Sequence, residues 1–567
     1  MSVEQISMNQ LITDNIDIWT STVKTKSASG RGCSKKRELY GVKKLRELIL
    51  ELAVRGKLVP QDPTDESASV LLDRIKDERR AEAKNGKLKE VKAISDNESP
   101  CQLPINWSFA RLEEIIQISS GKNLTVKKMD TSGKIPVYGG NGVTGIHSES
   151  NVSEKTIVIG RVGFYCGSVH LTPAYAWVTD NAFITKYSRA NLDEDFLVWL
   201  LKATNLSEND SATAQPVISG KKVYPIVVAL PPKEEQRLIA AKIDELMALC
   251  DQLEQQTEAS IEAHQVLVTT LLDTLTNSAD TDELMQNWAR ISEHFDTLFT
   301  TEASIDQLKQ AILQLAVMGK LVPQDPNDEP AAKLLERIAE EKAQLIKEKK
   351  IKKQKALPPI TDDEKPFEMP NGWECIRLGT AYDVSSSKRI HVKDYTDIGV
   401  PFFRSKEIGE LGRGNDISTE LFISEEHYES LKSQLGFPNH NDLMLASIGG
   451  SIGNNWVADS RPFYYKDGNI TKISHHSNSE PQYLKMFIDS SLFWNQVTGG
   501  VSGSAYNALT IIKIQSLVFQ LPPLAEQKRI VQKAHELLAM CDLAREKLKL
   551  LKETQVCVTN AIVEQAV

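Results

Sequence analysis

The sequence has few cysteines and no long hydrophobic run. Its 567 residues include seven cysteines, which are widely separated and form no Cys-x-x-Cys pair. A sparse, odd set of cysteines is typical of free thiols in a reducing compartment, so we expect a cytoplasmic protein. No stretch of about 18 consecutive apolar residues occurs, so no membrane-spanning helix is predicted. The N-terminus also lacks the basic and apolar regions of a secretory signal.

An excess of positive charge is also missing. The chain has 67 Lys and Arg against 76 Asp and Glu, a formal net charge of −9. This balance argues against a protein that holds nucleic acid by bulk charge. The charged fraction of 25% and the hydrophobic fraction of 41% are typical of globular proteins, and the length predicts about three to five domains.

Motifs of common nucleic-acid enzymes are absent from the sequence. A DNA adenine methyltransferase carries an Asn/Asp/Ser-Pro-Pro-aromatic motif, but here the Pro-Pro pairs precede Lys233, Ile360 and Leu524. There is no GxxxxGK[ST] phosphate loop and no HExxH or Cys/His cluster, and GVSGSAYN (500–507) does not fit a GxSxG nucleophile turn. The adjacent His475 and His476 are predicted to lie at the surface. We therefore predict no catalytic residue and no metal site.

The sequence repeats itself. Residues 45–78 recur at 308–341, and residues 230–253 recur at 521–544. The repeated blocks are close copies, whereas the segments between them differ. A repeat of nearly 300 residues is too long for a solenoid, whose units have about 20–50 residues. The pattern predicts one duplicated helical frame that carries two different inserts.

The repeated blocks predict helices. Mostly apolar residues spaced alternately by four and three positions run from Ile239 to Leu271 and again from Ile530 to Ile562, as in the seam of a coiled coil. Polar Thr257, Ser260 and His264 weaken the middle of the first seam. The central connection holds both helix types in tandem, whereas each end of the chain holds one. We therefore predict that the C-terminal helix pairs with the N-terminal block, which gives an antiparallel coiled coil with a pseudo-two-fold internal repeat.

The first insert (104–230) and the second insert (370–521) have a different texture. Short runs of β-branched and aromatic residues alternate with Gly, Asn and Ser, a pattern that predicts short strands and turns with a few helices. The inserts are distantly alike, since SSGKN (119–123) matches SSSKR (385–389) and GRVGFYCG (160–167) matches ASIGGSIG (446–453). The predicted fold class is therefore α+β, with two mixed α/β inserts joined by long helices.

These features resemble a known family. Each insert ends in LPPxxEQ (230–236 and 521–527), and LAVxGKLVPQDPxDE occurs at 52–66 and 315–329. The chain thereby resembles the specificity subunits of type I restriction-modification systems, most closely the enteric EcoA-type (type IB) family. The resemblance implies a non-catalytic subunit whose inserts are target recognition domains, each reading one half of a bipartite double-stranded DNA target.

The resemblance also implies partners and cofactors. The helices would set the gap between the half-sites and bind two modification (methyltransferase) subunits, and restriction (motor-nuclease) subunits would join them. No cofactor is expected in this chain, because S-adenosylmethionine, ATP and Mg would belong to the partner subunits.

Six regions are predicted on this basis. They are an N-terminal extension (1–44), an N-terminal helical region (45–102), target recognition domain 1 (103–230), a central helical region that acts as a spacer (231–356), target recognition domain 2 (357–521) and a C-terminal helix (522–567).

Candidate DNA-binding residues lie in Gly-rich turns of the inserts. Arg and Lys can read guanine, Asn and Gln can read adenine, and Ser or Thr accepts either. The alternative is that such Gly-Asn clusters only make turns. Arg161 in GRVG is the preferred candidate, because Gly-Arg segments recur in the family that the chain resembles. The full set is Lys122, Asn123, Tyr138, Asn141, Arg161 and Asn181 in the first insert and Lys388, Arg389, Arg404, Lys406, Ser447, Asn454, Asn455 and Asn469 in the second.

Other features leave alternatives open. The basic runs at 24–39 and 347–355 are either solvated surface or phosphate contacts, which position a duplex without specifying its sequence. Trp107 and Trp373 recur in both copies and are predicted to lie in the core. Two competing hypotheses are a coiled-coil scaffold whose inserts bind proteins and a stand-alone enzyme. Replacing one insert discriminates them, since only a DNA reader would change its target sequence.

Overall fold

The described part of the chain divides into two compact units. The computed structural model describes residues 8–26, 36–82, 91–95, 98, 101–130, 132–163, 165–206, 217–279, 281–476, 479–499 and 508–567. One unit contains residues up to Ile261 together with Leu551–Val567, and the other contains Glu262–Leu550. We call them unit 1 and unit 2. Each holds one insert and one copy of the helical frame.

The N-terminal extension forms α1 (Met8–Asp14), α2 (Ile16–Ser21), β1 (Val23–Lys26) and β2 (Lys36–Leu39), and the first copy follows it. The helices of the first copy are α3 (Tyr40–Val54), α4 (Ala68–Glu82), α5 (Leu112–Ile115), α6 (Glu194–Ala203), α7 (Gly220–Val223) and α8 (Lys233–Thr276). Its strands are β3 (Ser108–Arg111), β4 (Ile116–Ser120), β5 (Ile135–Gly139), β6 (Gly142–His147), β7 (Ile157–Gly160), β8 (Val169–Leu171), β9 (Trp177–Val178), β10 (Ala182–Tyr187) and β11 (Val227–Leu230).

The second copy repeats this order with additions. Its helices are α9 (Thr281–Glu293), α10 (Phe295–Leu298), α11 (Glu302–Val317), α12 (Ala331–Lys347), α13 (Leu378–Ala381), α14 (Ser405–Gly412), α15 (Glu425–Leu431), α16 (Pro481–Asp489), α17 (Ser491–Thr498), α18 (Ile511–Ser516) and α19 (Leu524–Ala566). Its strands are β12 (Glu374–Arg377), β13 (Val384–Ser385), β14 (Tyr395–Thr396), β15 (Val400–Phe403), β16 (Phe422–Ile423), β17 (Leu443–Ala446), β18 (Asn455–Val457), β19 (Tyr464–Tyr465), β20 (Ile470–Ile473) and β21 (Val518–Leu521).

The two inserts share a sheet topology. The first contains an antiparallel sheet in the order β4-β10-β7-β8, and the second contains the equivalent order β13-β20-β17-β18. A smaller sheet accompanies each, β6-β5-β9 in the first and β14-β16-β15-β19 in the second. Helices α14 and α15 are additions of the second insert and account for part of its greater length. The predicted fold class, two mixed α/β inserts with long helices and an internal repeat, is confirmed.

Each insert is closed by its own first and last strands. Strand β3 pairs antiparallel with β11, and β12 pairs with β21 in the same way. The chain therefore leaves each insert beside the point where it entered, and a Pro-Pro pair then starts the long helix. Pro fits a helix N-terminus because its missing N–H would have no partner there.

In both copies the repeated Trp contacts the Glu of the LPPxxEQ motif. Trp107 donates its indole N–H to Glu235 Oε2 at 2.8 Å, and Trp373 donates to Glu526 Oε2 at 2.9 Å. All four side chains are buried, as predicted for the tryptophans. The next motif residue, Gln236, donates to the Pro231 carbonyl and accepts the Asp193 backbone N–H. The motif thus fixes the start of the long helix against the insert.

The buried glutamates predict a pH-dependent stability. Burial raises the pKa of Glu235 and of Glu526 to about 7, from 4.5. The native state therefore holds a proton that the unfolded chain releases between these values, so this stability is complete below about pH 4.5 and is lost as the pH rises through 7. Glu235→Gln and Glu526→Gln keep an acceptor for the indole but do not titrate.

We expect each Gln variant to match the wild type near pH 4 and to be more stable by about 1–3 kcal/mol at pH 8. Urea unfolding at a series of pH values measures this difference. An offset that is the same at every pH would contradict it.

An equivalent arginine in each insert joins two other segments of the chain to its own strand. Arg111 donates to the carbonyls of Lys92, Ala93 and Pro225 and to the Glu98 carboxylate, whose pKa it lowers to about 2. Arg377 makes the corresponding bonds to the carbonyls of Pro358, Pro359 and Ser516 and to Glu364. The two sets of contacts show that the frames are copies in three dimensions as well as in sequence.

The long helices contribute to both units. Residues up to Ile261 of α8 and from Leu551 of α19 belong to unit 1, and their remaining turns belong to unit 2. Within unit 2, α11 and α19 run antiparallel, since Lys309 pairs with Asp542 and Asp306 pairs with Arg545. Neither these helices nor any other described helix is long and apolar enough to cross a bilayer.

The predicted seam is correct in the first half of each helix and wrong in the second. Ile239, Ile243, Leu246, Cys250 and Leu253 are buried as predicted. Beyond them Leu267 is 49% exposed, and its neighbour Val268 is 1% exposed. Leu551 is likewise exposed in α19. An α-helix has 3.6 residues per turn, so a line of residues spaced by 3.5 rotates slowly around the helix. Each long helix also packs against different residues in unit 1 and in unit 2.

The N-terminal extension packs on the end of the C-terminal helix within unit 1. Thr22 and Thr559 share a hydrogen bond between their hydroxyls at 3.1 Å, and Tyr40 donates to Asn560 at 2.9 Å. Trp19 on α2 is fully buried in the same core cluster that Ile562 flanks. Lys57 of the N-terminal block donates to the Val567 carbonyl, and residues 551–567 belong to unit 1. The prediction that the C-terminal helix returns to the N-terminal block is therefore confirmed, and the extension, for which the sequence suggested no role, helps to hold it.

Candidate nucleic-acid interface

The first insert gathers its candidate residues at one end of its main sheet. Strand β4 ends at Ser120, β7 ends at Gly160, and β10, which lies between them, begins at Ala182. Because these neighbouring strands are antiparallel, the ends of β4 and β7 and the start of β10 lie at the same end of the sheet. Five candidates flank this end, which we call polar end 1: Lys122, Asn123, Asn141, Arg161 and Asn181.

Backbone contacts fix the loops of polar end 1. The Arg161 N–H donates to the Asn181 carbonyl at 2.9 Å, and the Lys122 N–H donates to the Val178 carbonyl at 2.9 Å. The turn before Asn141 is held because Ser168 donates to the Gly140 carbonyl. A Cβ on Gly140 would lie 2.5 Å from the Val162 carbonyl oxygen, so this close approach requires glycine.

Exposure separates the candidates of the first insert. Lys122, Asn123, Asn141 and Asn181 are exposed, and Arg161 is half-buried. Tyr138, in contrast, lies buried within β5, with its ring tilted against His170. The first five side chains are therefore placed where a duplex could reach them, and Tyr138 supports the fold beneath.

Arg161 has an unusual environment. Its guanidinium lies 5.3 Å from the Phe183 ring centroid, and its Nη1 donates to Ser120 Oγ at 3.4 Å. Among the described residues of the two inserts, every other arginine is paired with a carboxylate, whereas Arg161 is not. A guanidinium has five N–H donors, so most of this capacity remains for a ligand.

The second insert has the corresponding polar end 2. Lys388 and Arg389 follow β13, Ser447 follows β17, Asn469 precedes β20, and Asn454 lies directly before β18. Lys388 and Arg389 are exposed, and Asn454 and Asn469 are half-buried. Arg389 donates to Asp467 at 2.8 Å, as Asn123 donates to Asp180 at 2.9 Å. The same position thus carries a different donor in each insert.

Two candidates of the second insert, Ser447 and Asn455, form side-chain hydrogen bonds within that insert. Ser447 is buried and donates to the Leu445 carbonyl and to Thr471 Oγ. Asn455 is also buried, donates to Asp489 at 2.6 Å and accepts from Lys485. Their side chains support polar end 2 from within.

Arg404 and Lys406 lie apart from the main sheet, after β15 of the smaller one. Arg404 is paired with Glu407 at 3.0 Å and with Glu420 at 3.1 Å, whereas Lys406 is exposed. Arg404 and Lys406 therefore lie beside the smaller sheet and not at polar end 2.

The basic run at 347–355 lines a groove of about 640 Å³ near the attachment of the second insert. Lys342, Lys352, Lys353 and Lys355 contribute to its walls. Lys342 donates to the carbonyls of Gly379, Thr380 and Tyr382, and burial lowers its pKa to about 8. Phosphate contact by this run stays a prediction. Much of the other basic run, from 27 to 35, lies outside the described residues, as does GVSGSAYN (500–507).

The histidine pair was wrongly predicted to lie at the surface. His476 is 1% exposed and stacks on Tyr382, and His475 is half-buried beside Ser479. Burial lowers the pKa of His476 to about 4. The stacking of Tyr382 on His476 could not be read from the polar sequence of this turn. The described residues contain no group of three potential metal ligands.

Sequence reasoning missed three residues of the polar ends: Ser120, Phe183 and Asp180. The available signal was the match of DNAFI (180–184) with DGNIT (467–471). The strand pairing corrects that sequence match by one residue. Ile159 and Leu445 precede the matched segments 160–167 and 446–453, and Phe183 lies opposite the first and Thr471 opposite the second. Phe183 therefore corresponds to Thr471.

The two inserts thus carry different polar ends on a duplicated helical frame. A family model described as the type I restriction modification DNA specificity domain matches at residues 104–263 and 370–553. The chain belongs to this family of type I restriction-modification specificity subunits, which confirms the resemblance and the prediction of a non-catalytic subunit.

Full-length relatives agree. The chain is 37% identical to the EcoAI specificity subunit of Escherichia coli and 36% identical to the EcoEI specificity subunit of Escherichia coli, over 99% of this chain and 100% of each relative. Among solved structures, a chain from a study of assembly and conformational transition of the type I R-M system is 15% identical, with a TM-score of 0.47, and covers 82% of this chain and 99% of its own length. The HsdS subunit from Thermoanaerobacter tengcongensis is 16% identical, with a TM-score of 0.40, over 83% and 98%.

Proposed function

We propose that the chain reads a bipartite DNA target, one half with each insert, and directs partner subunits to it for adenine methylation or cleavage. The observation that carries this proposal is the convergence of Lys, Arg and Asn side chains at one sheet end in each insert. These are the side chains whose donors and acceptors match base edges in the major groove. Because the residues differ between the inserts, the two half-sites would differ too.

The partners would be two modification subunits and the restriction subunits. The modification subunits would hold S-adenosylmethionine and extrude the target adenine, a step for which the sequence of this chain carries no motif. The restriction subunits would use ATP and Mg. The family and its full-length EcoAI and EcoEI relatives support this assignment.

The net charge of −9 bears on how the chain would bind DNA. Non-specific affinity comes largely from cations that neutralise phosphates, and the two inserts have formal charges of only +1 and −3. We therefore expect weak DNA binding by the chain alone and tight binding by its complex with modification subunits.

Replacing one insert tests the proposal. The chain with residues 104–230 exchanged for the corresponding segment of the EcoAI relative is expressed with its own partner subunits, and the methylated sequence is mapped. One half of the target should change completely while the other half and the partner requirement stay the same. Exchange of residues 370–521 is the matched control and should change the opposite half. An unaltered methylated sequence in both hybrids would support the protein-binding scaffold instead.

A further inference from the structure

We infer that Phe183 is a specificity-determining positioning residue of the first insert, because it orients Arg161 for contact with a base of one half-site. This inference rests on the proposed function and goes beyond it by naming a residue pair and the contact that the pair would make. Phe183 itself is 7% exposed and would touch no base.

The guanidinium of Arg161 is already oriented by neighbouring side chains. Its Cζ lies 5.3 Å from the Phe183 ring centroid, a cation–π distance, and Ser120 Oγ accepts from Nη1. Its Nε is buried without a hydrogen-bond partner among the described residues. An arginine side chain has many rotamers, and stacking on a ring reduces the number that must be given up when it binds.

The backbone around Arg161 is fixed on both sides. Its N–H donates to the Asn181 carbonyl at 2.9 Å, and its carbonyl accepts from the Ile218 N–H at 3.0 Å. Phe183 is held on the neighbouring strand opposite Ile159. The ring and the guanidinium thus meet because of strand register, independently of any ligand.

The second insert provides an internal comparison. Ser447 occupies the place of Arg161, since its N–H donates to the Asn469 carbonyl at 2.8 Å and its carbonyl accepts from Leu509 at 2.7 Å. Thr471 occupies the place of Phe183, and the two hydroxyls bond each other at 2.7 Å. Both positions differ together while the backbone frame is unchanged. The pair therefore behaves as one module, present as Arg with Phe in the first insert and absent from the second.

The ligand of the module follows from its chemistry. A guanidinium with unused donors, held at the polar end of the insert, matches the O6 and N7 acceptors of guanine, which Arg contacts with two hydrogen bonds. We therefore expect Arg161 to discriminate guanine at one position of the first half-site and Phe183 to determine how strongly it does so.

The test uses the complete complex with the modification subunits and duplexes that carry the mapped target, each with one base pair changed. Binding to every duplex is compared with binding to the unchanged target for Arg161→Ala, Phe183→Leu, Phe183→Trp and the double variant. Phe196→Leu is the matched control, because it removes a buried phenylalanine of the same insert over whose ring no described residue places a cation.

Arg161→Ala should lower discrimination at one base pair of the first half-site by about 5- to 150-fold. Phe183→Leu should lower it at the same base pair by about three- to thirtyfold and leave the second half-site unchanged. Phe183→Trp should retain most of it. In the Arg161→Ala background, Phe183→Leu should have no further effect at that base pair, since the interaction is already gone.

Other results would overturn the inference. These are additive losses from the two substitutions, a loss at Phe183 that weakens all duplexes equally as Phe196→Leu would, or an Arg161→Ala variant with unchanged discrimination. If the insert exchange still changes half of the methylated sequence, the proposed function stands and only the roles of Arg161 and Phe183 fail.

Discussion

Arg377→Met is expected to destabilise unit 2 by about 3–5 kcal/mol. Arg377 is buried and donates to three backbone carbonyls and to Glu364, with nitrogen–oxygen distances of 2.7–3.1 Å. Met has a similar volume but no donor, so it would leave the three carbonyls without this partner, while Glu364 keeps the Thr361 N–H and hydroxyl as donors. Hydrogen bonds from a charged donor contribute about 1.5–3 kcal/mol each, so losing the whole set is costly.

Denaturant unfolding of the full chain measures this loss. Arg461→Met is the matched control, because Arg461 pairs with Asp459 at the surface and is 45% exposed, so its removal should cost at most about 1 kcal/mol. Arg377→Lys should remain well below the wild type, since one ammonium cannot reach the same set of acceptors. A loss from Arg377→Met no larger than that of the control would show that the arginine does not hold the insert together.

Trp19→Ala should destabilise unit 1 by about 3–5 kcal/mol. Trp19 of α2 is fully buried, and a Cβ on Gly41 of α3 would lie 2.2 Å from the Trp19 carbonyl oxygen, so the two helices approach each other closely at this point. Loss of the indole leaves a cavity that this close contact prevents from collapsing. Because the extension holds the end of α19, the last turns of that helix should also open more often.

Hydrogen exchange follows this opening. Amides in residues 551–567 should lose protection in Trp19→Ala while those of unit 2 keep theirs. Ile16→Ala is the matched control, because Ile16 lies on the same helix but is 42% exposed, so it should change stability by less than about 1 kcal/mol. Full protection of 551–567 in Trp19→Ala would mean that the extension does not stabilise the helix end.

The helical frame could be predicted because its sequence occurs twice and its apolar residues recur at helical spacing. Two copies of LPPxxEQ and two tryptophans at matching offsets identified the junctions, and the structure explains them as Trp–Glu contacts. Where prediction failed, at Leu267 and Leu551, the local pattern continued but the packing partner changed. Periodicity describes one helix, and it carries no information about what the helix meets farther along.

The polar ends were only partly predictable. Gly-rich turns indicated where loops lie, and strand order then brought Arg161 and Asn181 together, although they are 20 residues apart. The burial of Asn455 depends on Asp489, and that of Ser447 depends on Thr471. A polar residue that is satisfied by a distant partner looks, in sequence, the same as one that is free to bind a ligand. The N-terminal extension had no second copy for comparison, so its contact with α19 was invisible.

The pairing of β3 with β11 and of β12 with β21 has an evolutionary consequence. Since each insert starts and finishes at one place on the frame, recombination between related genes at the two repeated junctions would exchange a whole insert without disturbing the helices. Extra segments such as α14 and α15 could also accumulate inside an insert at little cost. Under the proposed function, one such exchange would change a whole half of the target in a single step.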